Sequence, residues 1–139
     1  DAYLPASYVP SGAQRMALYK RIAHITSQDD ADELYDELTD RYGEPPAATG
    51  ALLDIALLRH RAELCGITAV TQIGNDIRMV PSEFDPVVWQ ELSASMPSRL
   101  RASLGSTTFV TLRLRGGEDP IGIINRLFEK YIEIRDKAE

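Results

Sequence analysis

The side chains that could carry out catalysis are few, and their spacing forms no catalytic set. His24 and His60 have no acid, serine or cysteine placed to make a triad or a metal pair with them, so we expect both to be structural. Cys65 ends an apolar stretch, where a free cysteine is more often a small buried hydrophobe than a nucleophile. Acid–base work by Glu33 and Glu37 would need surroundings that separate their pKa values, and a row of like charges on a solvated face provides none. We therefore expect no catalytic residue, no cofactor and no metal.

A run of acidic residues makes the first of two candidate binding surfaces. Between Asp29 and Asp40 every charged side chain is an acid, and the next basic residue is Arg41. Helical spacing brings Glu33, Glu37 and Asp40 together on the side opposite an apolar stripe. The residues leave two interpretations open, a solvated surface and a docking surface for a basic partner.

Arginines on a predicted hairpin make the second candidate surface. A three-residue loop pairs Leu100 with Leu112 on one face of this hairpin, and it sets Arg99, Arg101 and Arg113 on the outer face. Arg99 then lies opposite Arg113, and like charges directly opposed are mildly destabilising. The pattern predicts an anionic neighbour, either an acidic side chain of this chain, which we favour, or a phosphate.

Composition limits the class of protein. A length of 139 residues predicts one domain, with a helical half at 1–66 and a sheet-containing half at 67–139. The net charge of −6 disfavours non-specific binding to duplex DNA, because phosphate affinity comes mainly from an excess of Lys and Arg. A single cysteine suits a reducing compartment, so we expect a cytoplasmic location, with no membrane association. The chain begins at Asp1 rather than Met, and we expect it to be a piece of a longer polypeptide.

Capping signals predict where the first helices begin. Ser11 with Gln14, and Ser27 with Asp30, have the spacing of capping boxes, and Gly43 is a stop signal for the second helix. Each of these helices has an apolar stripe that we expect to face the core: Met16, Tyr19, Ile22, Ala23 and Ile25 in the first, and Ala31, Leu34, Tyr35, Leu38 and Tyr42 in the second.

The segments on either side of these two helices are predicted from composition. The opening segment 1–10 contains two prolines and should run extended, anchored by Tyr3 and Tyr8. A third helix at about 47–65 is apolar nearly all round, which predicts a central, buried position, with Gly66 as its C-cap.

In the second half the hydrophobic period changes from helical to alternating. The runs ITAVTQI and DIRMV are joined across Gly74 and Asn75, which predicts a tight hairpin. Asp85 before a proline predicts the start of a helix at 87–96, which carries Trp89. After the arginine-bearing hairpin comes a last helix with an expected core stripe of Ile121, Ile124, Leu127, Phe128, Tyr131 and Ile132. The expected fold class is α+β, three helices followed by a ββαββα unit with an antiparallel four-stranded sheet.

Several motifs together resemble one known family. DAYLP, YVP, YKRIA, ELTDRYGEPP, LLDIALLR and CGI occur in this order over the first half of the chain, and they resemble the C-terminal domain of bacterial transcription-repair coupling factor. The resemblance implies a parent protein that is an ATP-driven DNA translocase, which acts on stalled RNA polymerase and recruits nucleotide excision repair. It implies that this domain is non-catalytic and regulatory.

The resemblance also implies a partner and a set of contact residues. In the family this domain folds back on an N-terminal UvrB-like module, masks the surface that binds UvrA and restrains the motor. Glu37 and Asp40 of the ELTDR motif match the family's acidic contact, and we add Glu33 and Arg41 as candidate partner-binding residues. Two other interpretations stay open: a nucleic-acid-binding module that uses the arginine hairpin, and a small hydrolase that uses Glu37.

Overall fold

A computed structural model describes residues 2–138 of the chain, and these cluster into two compact units that divide between His60 and Arg61. Its elements follow in the order α1 (Gly12–Ala23), α2 (Gln28–Tyr42), α3 (Ala47–Leu64), β1 (Ile67–Ile73), β2 (Asp76–Pro81), α4 (Pro86–Ser95), β3 (Leu100–Ser103), β4 (Phe109–Arg113) and α5 (Pro120–Ala138). The strands form one antiparallel sheet in the order β1-β2-β4-β3. The predicted α+β class and element order are confirmed, and the structure adds the strand order.

The helix starts in the first unit are set by local capping. The hydroxyl of Ser11 accepts a hydrogen bond from the Gln14 N–H at 3.2 Å, and that of Ser27 accepts one from the Asp30 N–H at 3.1 Å. Each bond satisfies a backbone donor that has no partner within its helix. Both predicted starts are confirmed. The C-cap that follows α2 is Gly43, whose φ of 87° lies in the region that favours glycine.

The buried face of α1 differs from the prediction. Leu18 and Ile22 are the buried residues of this helix, whereas Met16 is 60% exposed and Tyr19 is 38% exposed. Leu18 and Ile22 are four residues apart and so share a face. Tyr19 instead lies at the margin, where its hydroxyl accepts a hydrogen bond from the Leu4 N–H at 2.8 Å. Ala23 is exposed as well, so the predicted stripe was wrong at Met16, Tyr19 and Ala23.

The opening segment is anchored mainly by one tyrosine. The Tyr8 hydroxyl lies 2.7 Å from the carbonyl oxygen of Gly43 and 3.1 Å from that of Leu38. Its ring packs against Tyr42 at a centroid distance of 5.6 Å. Tyr3 is half exposed, and its backbone rather than its ring bonds to α3. The anchoring role is confirmed for Tyr8 and not for Tyr3.

The third helix is less uniformly buried than its composition predicts. Leu53 and Leu57 are buried, whereas Ile55 is only half-buried. The buried pair lies four residues apart on one face, so this helix has a core side despite its nearly uniform apolar composition.

The second unit follows the predicted hairpins closely. Ile73 pairs with Asp76 across the turn at Gly74 and Asn75. In the other hairpin Leu100 pairs with Leu112, as the three-residue loop predicted. The alternation of apolar and polar residues therefore fixed the register correctly.

The two helices of this unit pack on each other through aromatic side chains. Trp89 of α4 and Tyr131 of α5 have ring centroids 5.3 Å apart. On α5 the core side includes Ile123 and Ile134, while Ile121 and Ile132 of the predicted stripe are only half-buried. At both of its ends, the buried face of α5 is therefore rotated about the helix axis relative to the predicted stripe. No helix in the described part of the chain is both long and apolar enough to span a membrane.

Candidate partner-binding surfaces

The outward side of α2 is a row of carboxylates. Asp29, Glu33, Asp36 and Asp40 are all exposed, and their spacings of three, four and seven residues place them on one side of the helix. The buried residues of α2, which include Leu34 and Leu38, lie on the opposite side. We call these four carboxylates the acidic face; among the described residues none of them forms an ion pair.

Two members of the acidic face were missed as site residues. Asp29 and Asp36 were seen in the sequence only as part of an acidic run, yet they are exposed beside the predicted Glu33 and Asp40. Spacing carries the signal, because Asp36 lies three residues from Glu33 and four from Asp40. A helical projection of the whole run would have found both.

Glu37 has a partner inside the chain. Its carboxylate forms an ion pair with the guanidinium of Arg21 on α1, and the two side chains are 40% and 50% exposed. A pair this exposed contributes little to stability. It nevertheless holds Glu37 toward α1, at the edge of the acidic face, so the predicted contact residues Glu37 and Asp40 differ in how freely a partner could reach them.

The other charged residues of α2 have local roles. Arg41 is exposed and lies over the ring of Tyr42 at 5.3 Å from the centroid, a geometry that favours a cation. The Asp30 carboxylate accepts hydrogen bonds from the N–H and the hydroxyl of Thr26, each at 3.0 Å. These bonds lower the pKa of Asp30, the backbone bond most of all. Asp30 thus belongs to the start of the helix rather than to the acidic face.

A groove of 390 Å³ lies between α1 and α2 and is lined by both signs of charge. Lys20 and Arg21 come from α1, His24 caps its C-terminal end, and Asp30 and Glu33 come from α2. The Nδ1 atom of His24 lies 2.7 Å from the Lys20 carbonyl oxygen, which ties the ring to its own helix. Within residues 2–138 no cluster of His, Cys, Asp and Glu has the makings of a metal site.

The predicted arginine surface is largely neutralised by acids of the same chain. Arg99 is buried rather than exposed, donates to the Arg113 carbonyl oxygen from Nη2 at 3.0 Å, and forms an ion pair with Glu118. The hydrogen bond from Arg99 is the main reason that the pKa of Glu118 is lowered. Arg113 places its Nε 2.7 Å from the carboxylate of Asp76. The interpretation of acidic neighbours is therefore confirmed for two of the three arginines, which leaves Arg101 exposed and removes most of the basis for the nucleic-acid alternative.

Cys65 lies in a buried position, as the sequence predicted. Its Sγ is 3.6 Å from the carbonyl oxygen of Phe128. Burial raises the pKa of the thiol to about 12, and a thiol that stays protonated is a poor nucleophile.

Comparison with known proteins gives matches that agree with one another. The TRCF domain family matches residues 1–91. The "Transcription-repair-coupling factor" of Mycobacterium bovis is 31% identical over 118 residues, 84% of this chain and 10% of that protein. The protein of the same name from Escherichia coli is 41% identical over 64 residues, 46% of this chain and 6% of that protein. The chain thus spans a tenth or less of the length of these curated relatives.

A solved structure extends the likeness to the whole chain. A crystal structure of the C-terminal domain of transcription-repair coupling factor superposes with a TM-score of 0.76 at 25% identity, and the match covers 100% of this chain and 91% of that one. Fold and acidic helix together define an α+β domain of the kind found in that crystal structure. The chain belongs to the TRCF domain family. Its second half, where no motif was recognised in the sequence, shares the fold.

Proposed function

We propose that this chain is the regulatory C-terminal domain of a transcription-repair coupling factor, and that it acts by docking its acidic face on a basic surface of the N-terminal UvrB-like module. The observation that carries the proposal is the acidic face itself, four exposed carboxylates on one side of α2 without ionic partners among the described residues. The ELTDR motif of the family lies within this helix and contributes Asp40. While docked, the domain masks the UvrA-binding surface and restrains the motor.

The expected interaction energies suit a docked state that is reversible. Exposed carboxylate–arginine pairs are worth roughly 0.2–1 kcal/mol each, so a few of them hold two surfaces only weakly. Within one polypeptide the effective concentration of a partner reaches the millimolar range, and a weak interface then closes. Charge complementarity sets the partner and the register more than the affinity. Binding of RNA polymerase elsewhere on the parent protein can therefore displace the domain at modest cost.

Glu37 has a conditional role in this proposal. Its carboxylate is shared with Arg21, so an arginine of the UvrB-like module must compete with Arg21 for it. Asp40 faces no such competition among the described residues. We therefore assign Asp40, with Glu33 and Asp36 beside it, the primary contact, and Glu37 a contact that forms as its ion pair with Arg21 opens. Arg41, stacked on Tyr42, lies at the rim.

The activities of the parent protein follow from the same proposal. ATP hydrolysis, DNA translocation and binding of RNA polymerase belong to upstream parts of a longer chain, and this domain modulates them without catalysing a reaction. We expect the isolated domain to hydrolyse no ATP.

Binding in trans to the separate UvrB-like module tests the docking directly. The fluorescently labelled domain is titrated with the module at low and at moderate salt. We expect weak binding that falls with salt, and a further loss of roughly 3- to 30-fold in the Asp36→Asn, Asp40→Asn double variant, because two exposed ion pairs are removed.

Two control variants separate the acidic face from overall charge. Glu83 and Glu91 are exposed acids outside α2. The Glu83→Gln, Glu91→Gln double variant therefore changes the net charge as much as the Asp36→Asn, Asp40→Asn variant does, and it should bind the module as tightly as wild type. Arg21→Gln frees Glu37 and should preserve or strengthen binding. Equal losses in the two double variants would contradict docking through the acidic face.

A further inference from the structure

The outward face of the sheet carries a cross-strand row of polar side chains in the second unit. Thr71 on β1, Arg78 on β2, Thr111 on β4 and Arg101 on β3 are direct neighbours in the strand pairing. Their side chains point away from the buried face, which Ile77 and other apolar residues form. The sequence predicted Arg101 on this face, whereas the place of Arg78 in the row is seen only in the structure.

The two arginines of this row differ from the others on the sheet. Arg99 and Arg113 are paired with Glu118 and Asp76. Arg78 and Arg101 are both exposed, and neither has an acidic partner among the described residues. They stand on either side of Thr111, two strand spacings or about 10 Å apart at the backbone.

Arg78 is held in place although it has no salt bridge. Its guanidinium lies over the ring of Phe109 at 4.1 Å from the centroid. This stacking limits the rotamers of a long side chain and leaves its edge N–H groups available to an acceptor. Less conformational entropy is then lost when a ligand binds.

A concavity of 250 Å³ lies between these side chains. Its wall includes Arg78 and Arg101, the hydroxyl-bearing Ser103 and Thr111, and the apolar Phe109 and Ile73. The two guanidinium groups and two hydroxyls around this depression can bind a carboxylate through ion pairs and hydrogen bonds. The apolar rim can contact the neighbouring apolar side chain of the same peptide.

We propose that this face of the sheet is a second docking surface, distinct from the acidic face of α2, and that its occupant is an acidic segment of a protein partner. Arg78 and Arg101 receive carboxylates of the segment, and Ile73 and Phe109 contact an apolar residue beside them. The proposal does not depend on the proposed function of the acidic face.

Charge favours a protein over a nucleic acid as the occupant. The unit that holds the sheet has ten Lys or Arg residues and eleven Asp or Glu residues, so it has no overall excess of positive charge to attract a nucleic acid. Asp76 also lines the concavity, but its carboxylate is paired with Arg113. Phe109 is the one aromatic side chain lining the concavity among the described residues, whereas sheets that bind single strands stack two or three bases.

The test compares two anionic probes by fluorescence anisotropy with the full 139-residue chain. One is a short peptide of alternating Glu and Val, and the other is an oligothymidylate of the same net charge. We expect the peptide to bind more tightly than the oligonucleotide. The Arg78→Gln, Arg101→Gln double variant should bind the peptide roughly 3- to 30-fold more weakly, as expected for the loss of two exposed ion pairs.

Arg126 provides the matched control, since it is exposed on α5 and outside the concavity. Arg126→Gln should leave the affinity of the peptide unchanged, and circular dichroism should show every variant folded. Three outcomes would overturn the proposal: no peptide binding at millimolar concentration, an equal loss in Arg126→Gln, or tighter binding of the oligonucleotide, which would assign the surface to nucleic acid.

Discussion

Arg99 and Glu118 form the least exposed of the ion pairs between described side chains, with 9% and 18% of their side-chain surfaces exposed. Arg99 also donates to the Arg113 carbonyl oxygen, and Glu118 accepts from the Arg115 N–H at 3.0 Å. The pair therefore ties the end of β4 to the loop that precedes α5. Removing one partner leaves the other poorly solvated, which costs more than the pair itself contributes.

Replacing Arg99 should destabilise the chain in a pH-dependent way. Arg99→Met keeps the apolar stem and should lower the free energy of unfolding by about 1–3 kcal/mol at pH 7. Because the pKa of Glu118 is lowered from 4.5 in the fold, its contribution is present above that value and is lost as pH falls through the folded pKa. Urea unfolding at several pH values should show the difference from wild type shrinking in acid.

Arg113→Met is the control for this measurement. Arg113 pairs with Asp76 on the surface, where its side chain is 59% exposed, so the change should cost less than about 1 kcal/mol. An Arg99 variant no less stable than the Arg113 variant would contradict the role given to the buried pair.

For Arg99 the sequence predicted the position in the hairpin but not the burial of the side chain. Alternation along the hairpin put Arg99 opposite Arg113, and the Arg113 N–H does bond to the Arg99 carbonyl oxygen at 2.8 Å. Burial of Arg99 depends on Glu118, which lies 19 residues away in a loop that has no periodicity. Local pattern fixes which face a side chain takes, whereas its partner depends on tertiary structure.

The end of α2 is the element most clearly determined by backbone conformation. Gly43 has φ 87° and ψ −177°, a combination that is essentially restricted to glycine. A Cβ at this position would meet no atom within 4 Å, so any cost of substitution comes from the backbone alone.

A pair of glycine substitutions tests this cause. Gly43→Ala should lower the free energy of unfolding by about 1–3 kcal/mol. Gly50 lies within α3, and a Cβ there also has nothing within 4 Å, so Gly50→Ala should raise it by about 0.5–1 kcal/mol. Thermal melting should show that Gly43→Ala is less stable than wild type and that Gly50→Ala is more stable. A Gly43→Ala variant more stable than wild type would rule out backbone strain.

The third helix tests the assignment of core positions. Leu57 is buried and Ile55 is half-buried. Leu57→Ala should cost about 2–5 kcal/mol, and Ile55→Ala no more than about 2 kcal/mol. Chemical denaturation gives both values, and an unchanged midpoint for Leu57→Ala would mean that its side chain is not packed in the core.

Element starts were more predictable than element faces. Ser11, Ser27 and Asp85 each cap a helix through a bond to a residue two or three positions away, and such signals are local. The face of α1 was misassigned because Met16 and Leu18 are equally apolar in the sequence, and packing against other elements selects Leu18. Composition alone likewise could not choose a side of α3.

For the molecule as a whole, we propose that residues 1–139 unfold as one domain, as their length predicts. The boundary between the two compact units falls inside α3, at His60 and Arg61. Melting followed by far-ultraviolet circular dichroism should coincide with melting followed by the fluorescence of Trp89, which belongs to the second unit. Two separated transitions would instead define two domains.

The family was recognisable from motifs in the first half, and the fold of the second half from alternation and capping. Strand order was not predictable, because β1, β2, β3 and β4 have similar apolar patterns and the sequence does not say which edges meet. The acidic run was evident, yet the ion pair that occupies Glu37 was not, because Arg21 lies on another helix.

The affinity of the full-length coupling factor for UvrA shows whether the acidic face of α2, with Glu37 at its edge, keeps the UvrA-binding surface masked. A Glu37→Ala, Asp40→Ala variant removes two exposed or half-exposed carboxylates, and surface changes of this kind usually shift stability by less than about 0.5 kcal/mol. Wild type, this variant and a Glu83→Ala, Glu91→Ala control are compared at one salt concentration, with folding checked by thermal melting.

We expect UvrA to bind the Glu37→Ala, Asp40→Ala variant more tightly than wild type, since opening raises the fraction of the competent form. Polymerase-independent ATP turnover should rise with it, and the control should match wild type. Unchanged affinity for UvrA in a folded Glu37→Ala, Asp40→Ala variant would contradict the account and leave the acidic face of α2 as a solvated surface.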